Sequence, residues 1–600
     1  MAQTVSDYLF ERMLEWGVKR IYGYPGDGIN GLMGAFDKYS DRMQLVQVRH
    51  EEMAAFMATA HAKFTGEVGV CMATSGPGAI HLLNGLYDGK MDHMPVVAIV
   101  GQAATTGLGG SYQQEVDLQS LFKDVAGEYC MMVSSPVAMR HVIDRAMRIA
   151  MTTRSVTCVI IPKDVQEMAA VPNPPQKANM VHSGIGFTAP RVIPKEVDLR
   201  RAADVLNAGS RVAMLVGAGA VNATDEVIAI ANKLQACSAK ALLGKAVLPD
   251  DLEWVTGDIG LLGTRPSSDM MRECDTLFMI GSTFPYDQFL PKEGQARGVQ
   301  IDVDGKSLGL RYAMEVNLCG DAADTLRELL PLIQQKSDTS WREKLAKNRK
   351  EWQNINATRA TTTGKEINPE VVFTELATRL PDRCIITGDA GTSTNWLARH
   401  LQLRRGMKFS LSGSLATMGP AVPYAIAAKF AFPDRVALAL TGDGAMQMNG
   451  INEMITIKKY WKQWSDPRLI IMVLNNRDLN QVTWEMRIES GEPKFDASQD
   501  LPDFAYADYA KMLGLEGVRV ERTEDIGAAW DRVLRADRPA ILEVMSDADI
   551  SIIPPHITFD QAHNMSSALL KGDPNELGII VESAKSVLAG MIPTHKGDKG

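Results

Sequence analysis

The residues best suited to chemistry follow two short apolar runs in the last third of the chain. The first run, 436–440, has the composition of a strand buried on both faces, and it ends in a Thr-Gly-Asp-Gly turn at 441–444. An amphipathic segment at 446–460 has apolar residues at helical spacing. The second run, 469–474, stops at an Asn-Asn pair, 475–476. This order predicts a strand–helix–strand unit whose strand ends meet at one edge of a sheet.

We expect Asp443 and Asn476 to lie side by side at that edge, where they would offer two oxygen donors. A hard cation such as Mg2+ takes few protein oxygens and completes its shell with substrate phosphates. Gly442 and Gly444 would let backbone amides approach a diphosphate at the helix start. The alternative is an ordinary strand–helix turn with a capping aspartate, but the Asn pair at the neighbouring strand end favours a metal site.

The composition is that of a globular protein, and it excludes several classes. Of the 600 residues, 45% are hydrophobic and 22% are charged, which is enough apolar material for two to four domains. The net charge of −9 argues against a nucleic-acid partner. The seven cysteines are scattered without a CxxC pair, which indicates a reducing compartment and no structural zinc. We see no secretory signal and no apolar run of the roughly 18 residues a membrane span needs, so we expect a cytoplasmic protein.

Two proline-rich or polar stretches, 166–195 and 334–369, divide the chain. Apolar runs alternate with helical patterns around them, which predicts an α/β fold with three doubly wound parallel-sheet domains. We place these domains at 1–170, 195–335 and 365–555, and a tail with an amphipathic helix at 556–600. The apolar stripe of that helix comprises Leu577, Ile580, Val581, Ala584, Leu588 and Met591. Its polar face lacks a basic excess, so we expect docking on the protein rather than on a membrane.

A pair of carboxylates near the N-terminus is the second candidate for chemistry. Glu51 and Glu52 follow the strand-like run 45–50 and begin a helix. Ligands of open α/β sheets collect at the carboxyl ends of strands. Carboxylates at a helix start are also routine caps, because the helix dipole favours them there. From the residues alone, capping explains Glu51 at least as well as catalysis does, and we expect Glu52 to be a solvated cap.

The turn at 441–444 and the Asn pair together resemble the diphosphate and Mg2+ motif of thiamine diphosphate enzymes. This resemblance implies that Asp443, Asn476 and the main-chain oxygen of Asp478 bind the metal. Further segments, in the order found in that superfamily, resemble its pyrimidine-binding domain: 48–52, 75–78, 81–86 and 101–102. The three predicted domains would then be pyrimidine-binding, Rossmann-like and diphosphate-binding.

For the first domain the resemblance implies one catalytic glutamate. Glu51 would hydrogen-bond the aminopyrimidine ring and promote proton transfer, and a low-dielectric pocket would raise the pKa of its carboxyl group. His81 matches a pocket histidine of pyruvate oxidases, with a helix-surface histidine as the alternative. Gln114 matches the glutamine of the family's Phe-Gln-Glu, and Gln113 replaces the phenylalanine that lines the substrate methyl pocket. The other cofactor-binding residues implied here are Gly26, Gly76 and Asn84.

In the third domain, Met418 matches the bulky residue that bends thiamine diphosphate, with a core methionine as the alternative. Glu485 stands where pyruvate oxidases carry glutamate and acetohydroxyacid synthases carry tryptophan, which favours an oxidase. Gln481 replaces a second aromatic residue of the oxidases, and Val482 follows it in the substrate pocket. Two buried amides need hydrogen-bond partners, so we expect Gln113 and Gln481 to pair with each other, a water or a polar substrate group. The cofactor-binding residues implied here are Gly391, Thr392, Gly442 and Gly444.

The middle domain opens with Gly-Ala-Gly at 217–219, which alone is a weak indication of a nucleotide. The segments 260–263, 281–286 and 300–304 resemble, in order and wording, the FAD domain of pyruvate oxidases. Many relatives keep this domain without a flavin, so an empty domain is the alternative. The FAD-binding residues implied are Gly217, Gly219, Gly281, Thr283, Phe284, Asp302 and Asp321.

Taken together, these resemblances imply a thiamine diphosphate, Mg2+ and FAD enzyme similar to pyruvate oxidase and quinone-dependent pyruvate dehydrogenase. It would decarboxylate a 2-oxo acid, pyruvate first among the candidates, and pass electrons to FAD and then to a quinone or oxygen. The alternatives are a non-redox carboligase of the acetolactate synthase type and a catalytically silent homologue. The resemblance also implies a homotetramer in which Glu51 of one subunit faces the diphosphate site of another. Weak peripheral contact of the tail helix with the inner face of the cell membrane is the alternative to its docking on the protein.

Overall fold

The computed structural model describes residues 3–552, 559–575 and 579. Within them the chain forms three six-stranded sheets, and every strand pairing is parallel. This confirms the predicted fold class. All residues of the predicted C-terminal apolar stripe lie outside the described residues. Among the helices that are described, none combines the length and apolar character of a membrane span.

The first sheet has the strand order β2-β1-β3-β4-β6-β5, so the order reverses between β1 and β3. Its strands are β1 (Arg20–Gly23), β2 (Gln44–Gln47), β3 (Gly69–Ala73), β4 (Val96–Gln102), β5 (Cys130–Met132) and β6 (Val156–Pro162). Its helices are α1 (Val5–Glu15), α2 (Asn30–Phe36), α3 (Glu51–Thr65), α4 (Pro77–His81), α5 (Leu83–Met91), α6 (Leu118–Leu121), α7 (Met139–Thr153) and α8 (Lys163–Glu167). Every residue of β3, β4 and β6 is buried because helices cover both faces of the sheet.

The central sheet has the order β12-β11-β10-β7-β8-β9, which reverses between β7 and β10. This is the strand order of dinucleotide-binding folds. Its strands are β7 (Val212–Val216), β8 (Cys237–Lys240), β9 (Val255–Asp258), β10 (Thr276–Ile280), β11 (Arg297–Asp302) and β12 (Val316–Cys319). Its helices are α9 (Glu196–Ala208), α10 (Thr224–Leu234), α11 (Arg265–Glu273), α12 (Ala322–Leu329) and α13 (Ser340–Ala360).

The third sheet, β14-β13-β15-β16-β18-β17, repeats the order of the first and reverses between β13 and β15. Its strands are β13 (Ile385–Gly388), β14 (Lys408–Ser410), β15 (Ala437–Gly442), β16 (Leu469–Asn475), β17 (Glu516–Val520) and β18 (Ala540–Met545). Its helices are α14 (Pro369–Ala377), α15 (Thr392–His400), α16 (Ala421–Ala431), α17 (Asp443–Ala445), α18 (Ile451–Tyr460), α19 (Asn480–Glu485), α20 (Asp496–Gln499), α21 (Tyr506–Met512), α22 (Ile526–Leu534) and α23 (Phe559–Leu570).

Two π-helical turns interrupt the helices of the third domain. One, Met446–Gly450, joins α17 to α18, and the other, Met486–Ser490, directly follows α19. A π turn widens a helix by one residue per turn and is frequent at functional sites. Both turns follow predicted site residues, since the first comes three residues after Asp443 and the second begins after Glu485.

One apolar core joins the first and third domains. It includes Phe56 of α3 and Tyr424 of α16, whose rings lie 6.5 Å apart in an edge-to-face arrangement. The central domain is joined to the third by a hydrogen bond from a buried lysine, which is also paired within its own domain. Lys245 Nζ donates to Asp258 Oδ2 (2.7 Å) and to the backbone oxygen of Ala398 in α15 (3.0 Å). These contacts fix the three domains around the helices that carry the predicted site.

The longest connection in the described chain, from α8 to α9, contains no helix or strand. Two arginines of α7 nevertheless hold it through its backbone oxygens. Arg140 donates to Ser183 (2.8 Å) and Pro172 (3.2 Å), and Arg148 donates to Gly186 (3.3 Å). The connection therefore lies against the first domain.

Candidate active site

The predicted metal-binding residues lie at the carboxyl edge of the third sheet. Gly442 of β15 pairs with Leu474 of β16, and this register places Asp443 beside Asn476. Asp443 Oδ2 accepts hydrogen bonds from the backbone N–H groups of Asn476 (3.0 Å) and Arg477 (2.6 Å). The Asn476 Oδ1 atom in turn accepts from the backbone N–H of Asp478 (3.1 Å).

The environment of Asp443 fits a divalent cation. Its side chain is 2% exposed, and burial raises its pKa to about 7 although three backbone N–H groups favour the charged form. A bound cation would restore the ionised carboxylate. The side-chain oxygens of Asp478 are held by Thr483 (2.9 Å) and Asn480 (3.0 Å), which leaves its main-chain oxygen for the metal. These are hard oxygen donors of the kind that Mg2+ takes.

Two helix starts near this pair leave room for a diphosphate. A Cβ atom added to Gly442 would meet no heavy atom within 4 Å, and the same holds for Gly391, whose φ of +131° excludes most other residues. Thr392 begins α15 directly after Gly391. Gly444 is crowded instead, since a Cβ there would lie 2.7 Å from Leu479 Cδ2. The space lies at the carboxyl ends of β13 and β15, where the strand order reverses and where open α/β sheets bind ligands.

Asp389 ties two loops of this edge together. It is 1% exposed and accepts hydrogen bonds from the backbone N–H groups of Gly419 (2.8 Å) and Ala421 (3.2 Å). Burial raises its pKa to about 6. The sequence analysis did not single out Asp389. Its position directly after a strand at the same sheet edge was the available signal.

The loop 411–419, which carries Met418, is held from the first domain. Lys63 Nζ donates to the backbone oxygen of Leu411 (2.7 Å), and Asp92 accepts from the N–H groups of Gly413 (2.9 Å) and Ser414 (2.8 Å). At the other end of the loop, Asn84 Nδ2 donates to Thr417 Oγ1 (3.0 Å). The side chain of Met418 is thereby placed over the turn at Gly444, where its Cε lies 3.4 Å from a Cβ added to that glycine.

Glu51 begins α3 and is 8% exposed. Its Oε2 atom lies 2.9 Å from Nδ1 of His81, and the His81 ring stacks on His50 at 4.4 Å. Gly78 leaves room for the carboxylate, because a Cβ there would lie 3.1 Å from Glu51 Oε1. The His81 side chain is 42% exposed, so it is both a surface histidine and the partner of Glu51. This pair can exchange a proton with a ligand at the end of β3.

Glu52 differs from the solvated cap expected from the sequence. Its side chain is 16% exposed, and its Oε1 atom accepts hydrogen bonds from Asn84 (2.6 Å) and from Asn449 of the third domain (3.3 Å). A carboxylate with two amide donors is better satisfied there than in contact with water alone. The prediction was wrong because both donors are remote in sequence.

Of the three predicted substrate residues, Gln481 belongs to a hydrogen-bonded group, and Gln113 and Val482 lie outside it. Gln481 Oε1 accepts from Asn395 Nδ2 (2.7 Å), and Gln481 Nε2 donates to Glu485 Oε1 (2.9 Å). The expected pair of buried amides is therefore not found: Gln481 is half-buried with Asn395 and Glu485 as its partners, and Gln113 is exposed, so it needs no protein partner. Nothing in the sequence pattern pointed to Asn395. Val482, on the same helix as Gln481, is 44% exposed.

Three loops of the site hold a non-glycine residue in the left-handed region. These are Gln114 (φ 62°), Ala416 (φ 53°) and Arg477 (φ 57°). Such conformations cost of order 1–3 kcal/mol each and cluster at functional sites. Gln114 is further fixed by a hydrogen bond between its Oε1 and Ser75 Oγ (3.1 Å), and a Cβ added to Gly76 would lie 2.9 Å from its Cβ. Gly26 lies at the same edge, where its added Cβ would meet Thr74 at 2.6 Å.

The central sheet brings the predicted FAD residues to the edge where its strand order reverses. Gly217 follows β7, Gly281 follows β10 and Asp302 ends β11. Gly217 and Gly219 pack directly against Gly281, at 2.4 and 2.8 Å from added Cβ atoms, so the glycines are explained by protein packing alone. Phe284 is 7% exposed in the domain core, Thr283 is half-buried, and Asp321 caps α12 through the N–H of Asp324 (2.9 Å). The edge where the strand order reverses is the usual position of a dinucleotide site. The glycine packing found there does not by itself require a dinucleotide.

Comparison with known proteins identifies the family. The chain matches three parts of one family: the thiamine pyrophosphate enzyme N-terminal TPP binding domain over residues 3–121, its central domain over 199–329 and its C-terminal TPP binding domain over 389–544. The protein belongs to the thiamine pyrophosphate (thiamine diphosphate) enzyme family.

Relatives match over most of their length. The chain is 32% identical over 569 residues to the putative thiamine pyrophosphate-containing protein YdaP of Bacillus subtilis. The aligned region covers 95% of this chain and 96% of the relative. It is 28% identical to pyruvate oxidase of Lactiplantibacillus plantarum, with 91% and 89% covered. It is 30% identical to the acetolactate synthase isozyme 2 large subunit of Escherichia coli, with 88% and 93% covered. The protein is therefore a thiamine diphosphate-dependent enzyme, and its relatives include both redox and non-redox enzymes by name.

Proposed function

We propose that this enzyme decarboxylates a 2-oxo acid oxidatively, with pyruvate as the reference substrate, FAD as the first electron acceptor and a quinone or oxygen as the second. The observation that carries the proposal is the presence, in one chain, of two half-sites at equivalent sheet edges. Asp443 and Asn476 lie at the edge of the third sheet, and Glu51 with His81 lies at that of the first. The two sheets share one strand order, so the same kind of edge is used twice.

Thiamine diphosphate, when bound, supplies the electron sink that loss of CO2 from a 2-oxo acid requires. The protein contributes positions and protons. Asp443, Asn476 and the main-chain oxygen of Asp478 would hold Mg2+, and the open helix start at Gly442 would receive the diphosphate. Met418, which lies over the Gly444 turn, would pack against the bound cofactor.

Proton transfer falls to the first domain. Glu51 would hold a proton at the pyrimidine ring, in a position that Gly78 keeps free. His81 would orient the Glu51 carboxylate through Nδ1 and is itself open to the substrate side. One positioned group of this kind typically contributes ~100-fold or more to a rate. Gln114, which is half-buried, and Glu485, which is exposed, would contact the substrate at the rim of the site.

The proposal that electrons pass to FAD is supported by the central domain. Its strand order and its crevice at Gly217, Gly281 and Asp302 support a dinucleotide, and one relative is named pyruvate oxidase. The second candidate is a non-redox carboligase. It is supported by the acetolactate synthases among the relatives and by glycine packing that needs no flavin.

We further propose a homotetramer in which Glu51 of one subunit serves the diphosphate site of another, in the cytoplasm and with weak membrane contact at most through the tail. Three apolar side chains near the site are exposed on the single chain, namely Tyr112 (66%), Met448 (57%) and Val482 (44%). A second copy would remove such surface from water. The oligomeric state is measured by light scattering of the purified protein.

The test of the function is the anaerobic absorption spectrum of the purified protein, before and after pyruvate, with thiamine diphosphate and Mg2+ present. An oxidase shows oxidised-flavin bands that bleach on addition of substrate, and a quinone or oxygen restores them. Flavin bands that persist while CO2 is released and a ligation product accumulates would establish the carboligase instead. Flavin released by denaturation quantifies occupancy in either case.

A further inference from the structure

Three polar side chains form one continuous group, which we call the polar wall: Asn395, Gln481 and Glu485. Gln481 and Glu485 lie one turn apart on α19, on the same helix face. Gln481 Oε1 accepts from Asn395 Nδ2 at 2.7 Å, and Gln481 Nε2 donates to Glu485 Oε1 at 2.9 Å. Because its oxygen faces a donor and its nitrogen faces a carboxylate, the Gln481 amide has one fixed orientation.

The polar wall stands next to the space assigned to the cofactor. Asn395 is the fourth residue of α15, whose start at Gly391 is open, and it is 2% exposed. α19 begins two residues after Asp478, and the intervening Leu479 contacts the Gly444 turn. Gln481 is half-buried and Glu485 is exposed. The wall therefore runs from a buried anchor at one helix start to the solvent.

Resting on the proposed decarboxylation, we propose that the polar wall makes the enzyme selective for 2-oxo acids with a hydroxyl group on C3, over alkyl and dicarboxylic 2-oxo acids. After its two bonds, the Gln481 amide still has one N–H and one lone pair, and Glu485 has a second oxygen. A hydroxyl group can donate to Glu485 and accept from Gln481. An alkyl group would displace water from these polar atoms without pairing them, and a second carboxylate would meet Glu485 with like charge.

A site built to hydrogen-bond a hydroxyl group rejects the analogue that lacks it much more strongly than an apolar pocket rejects an added hydroxyl. The matched pair is 3-hydroxypyruvate and 2-oxobutyrate, which differ only by a hydroxyl in place of a methyl. We expect the holoenzyme to prefer 3-hydroxypyruvate by about tenfold or more in kcat/KM for CO2 release, and to use 2-oxoglutarate least.

The deciding variant is Gln481→Met, which keeps the length of the side chain and removes the amide. We expect the preference to fall to about threefold or less, chiefly through the rate with 3-hydroxypyruvate. Gln335→Met is the control, since it makes the same change at an exposed glutamine of the linker after the central domain. A parent enzyme that prefers 2-oxobutyrate, or a preference unchanged in Gln481→Met, would overturn the inference and reduce the wall to a brace between α15 and α19.

A binding measurement separates this inference from the proposed function. In Glu51→Gln, where turnover is expected to stall, the shift in thermal midpoint is measured with each 2-oxo acid at equal concentration and with both cofactors present. A larger shift with 3-hydroxypyruvate than with 2-oxobutyrate, lost in Glu51→Gln/Gln481→Met, supports the wall even if no 2-oxo acid releases CO2 in the parent. Equal shifts in both proteins reject it whatever the outcome of the CO2 assay.

Discussion

Nδ1 of His81 and Oε2 of Glu51 lie 2.9 Å apart, which directs the Glu51 carboxylate into the first domain. The next residue, Glu52, points in a different direction, towards Asn84 and towards Asn449 of the third domain. Successive residues on a helix point about 100° apart, so two adjacent glutamates can serve two different partners. One is placed for proton transfer, and the other fastens the helix that carries it.

This division predicts that the two glutamates respond differently to the same substitution. Glu51→Gln should lower decarboxylation at least ~100-fold, because an amide cannot transfer the proton. Glu52→Gln keeps an acceptor for Asn84 and should lose less than ~10-fold. Rates of CO2 release and thiamine diphosphate affinity by fluorescence titration are measured for both. Near-parental turnover in Glu51→Gln would remove this residue from the proton path.

Removal of Asp443 should act on cofactor affinity. Asp443→Ala deletes the buried carboxylate that neutralises the metal, so thiamine diphosphate and Mg2+ should bind at least ~10-fold more weakly. Activity should return when both are raised together. Asp537→Ala, at an aspartate whose side chain is 81% exposed, is the control. The assignment fails if calorimetric titration gives the same cofactor affinities for parent and Asp443→Ala.

The loop that carries Met418 should loosen when Asp92 is changed. Asp92→Ala removes the acceptor of Gly413 and Ser414 and the nearer of the two carboxylates beside the Lys63 ammonium, which is 5% exposed. Asp88 remains at 3.6 Å from that ammonium, so the loss of stability should be smaller than the roughly 3 kcal/mol of a fully unpaired buried charge. Hydrogen exchange of residues 411–419 should accelerate, and the thermal midpoint should fall.

Asp92→Asn is the matched variant, because it keeps one acceptor oxygen for the loop. Its exchange should lie between those of the parent and Asp92→Ala. If the amides of 411–419 exchange at the parental rate in Asp92→Ala, the loop is held by other contacts and Asp92 does not position Met418.

A buried carboxyl group between the first and third domains predicts a pH dependence of stability. Glu453 of α18 is fully buried and accepts a hydrogen bond from the Arg49 backbone (2.8 Å), and burial raises its pKa from 4.5 to about 7. The Glu453 carboxyl group therefore binds its proton more tightly in the folded protein than in the unfolded chain. The stability contribution is therefore present below about pH 4.5 and is lost as pH rises through 7. The loss is at most about 3 kcal/mol.

Glu453→Gln should remove this dependence while it keeps an oxygen for Arg49. We compare the free energy of unfolding of the variant minus that of the parent at two pH values. This difference should be larger at pH 8 than at pH 5 by roughly 1 to 3 kcal/mol. Chemical denaturation of the cofactor-free proteins measures the difference, with the exposed Glu351→Gln as the control. An equal difference at both pH values would contradict the assignment of the raised pKa to Glu453.

Local sequence patterns were sufficient to predict the fold class and the spatial proximity of Asp443 and Asn476. Both depend on short-range patterns, since a buried strand reads as an apolar run and parallel strand ends share an edge. The roles of the individual site residues and the domain ends remain predictions. The π turns at 446–450 and 486–490 had no sequence signal, because they arise from packing rather than propensity.

The contacts missed by the sequence analysis join residues that are far apart in the chain. Glu52 meets Asn449, and Gln481 meets Asn395. From its residue type Lys245 would be expected at the surface, but it is 2% exposed and paired with Asp258. Such polar groups are buried only because a specific partner comes with the fold, and no local pattern names that partner.

The connection between α8 and α9 has a practical consequence for dividing the protein into fragments. Its prolines suggest a dispensable hinge, but its backbone oxygens satisfy the guanidinium groups of Arg140 and Arg148. A fragment that stops after α8 would expose both arginines and the surface that the connection covers. A recombinant first domain should therefore continue through Gly186, and proteases should cut this segment more slowly than its composition suggests.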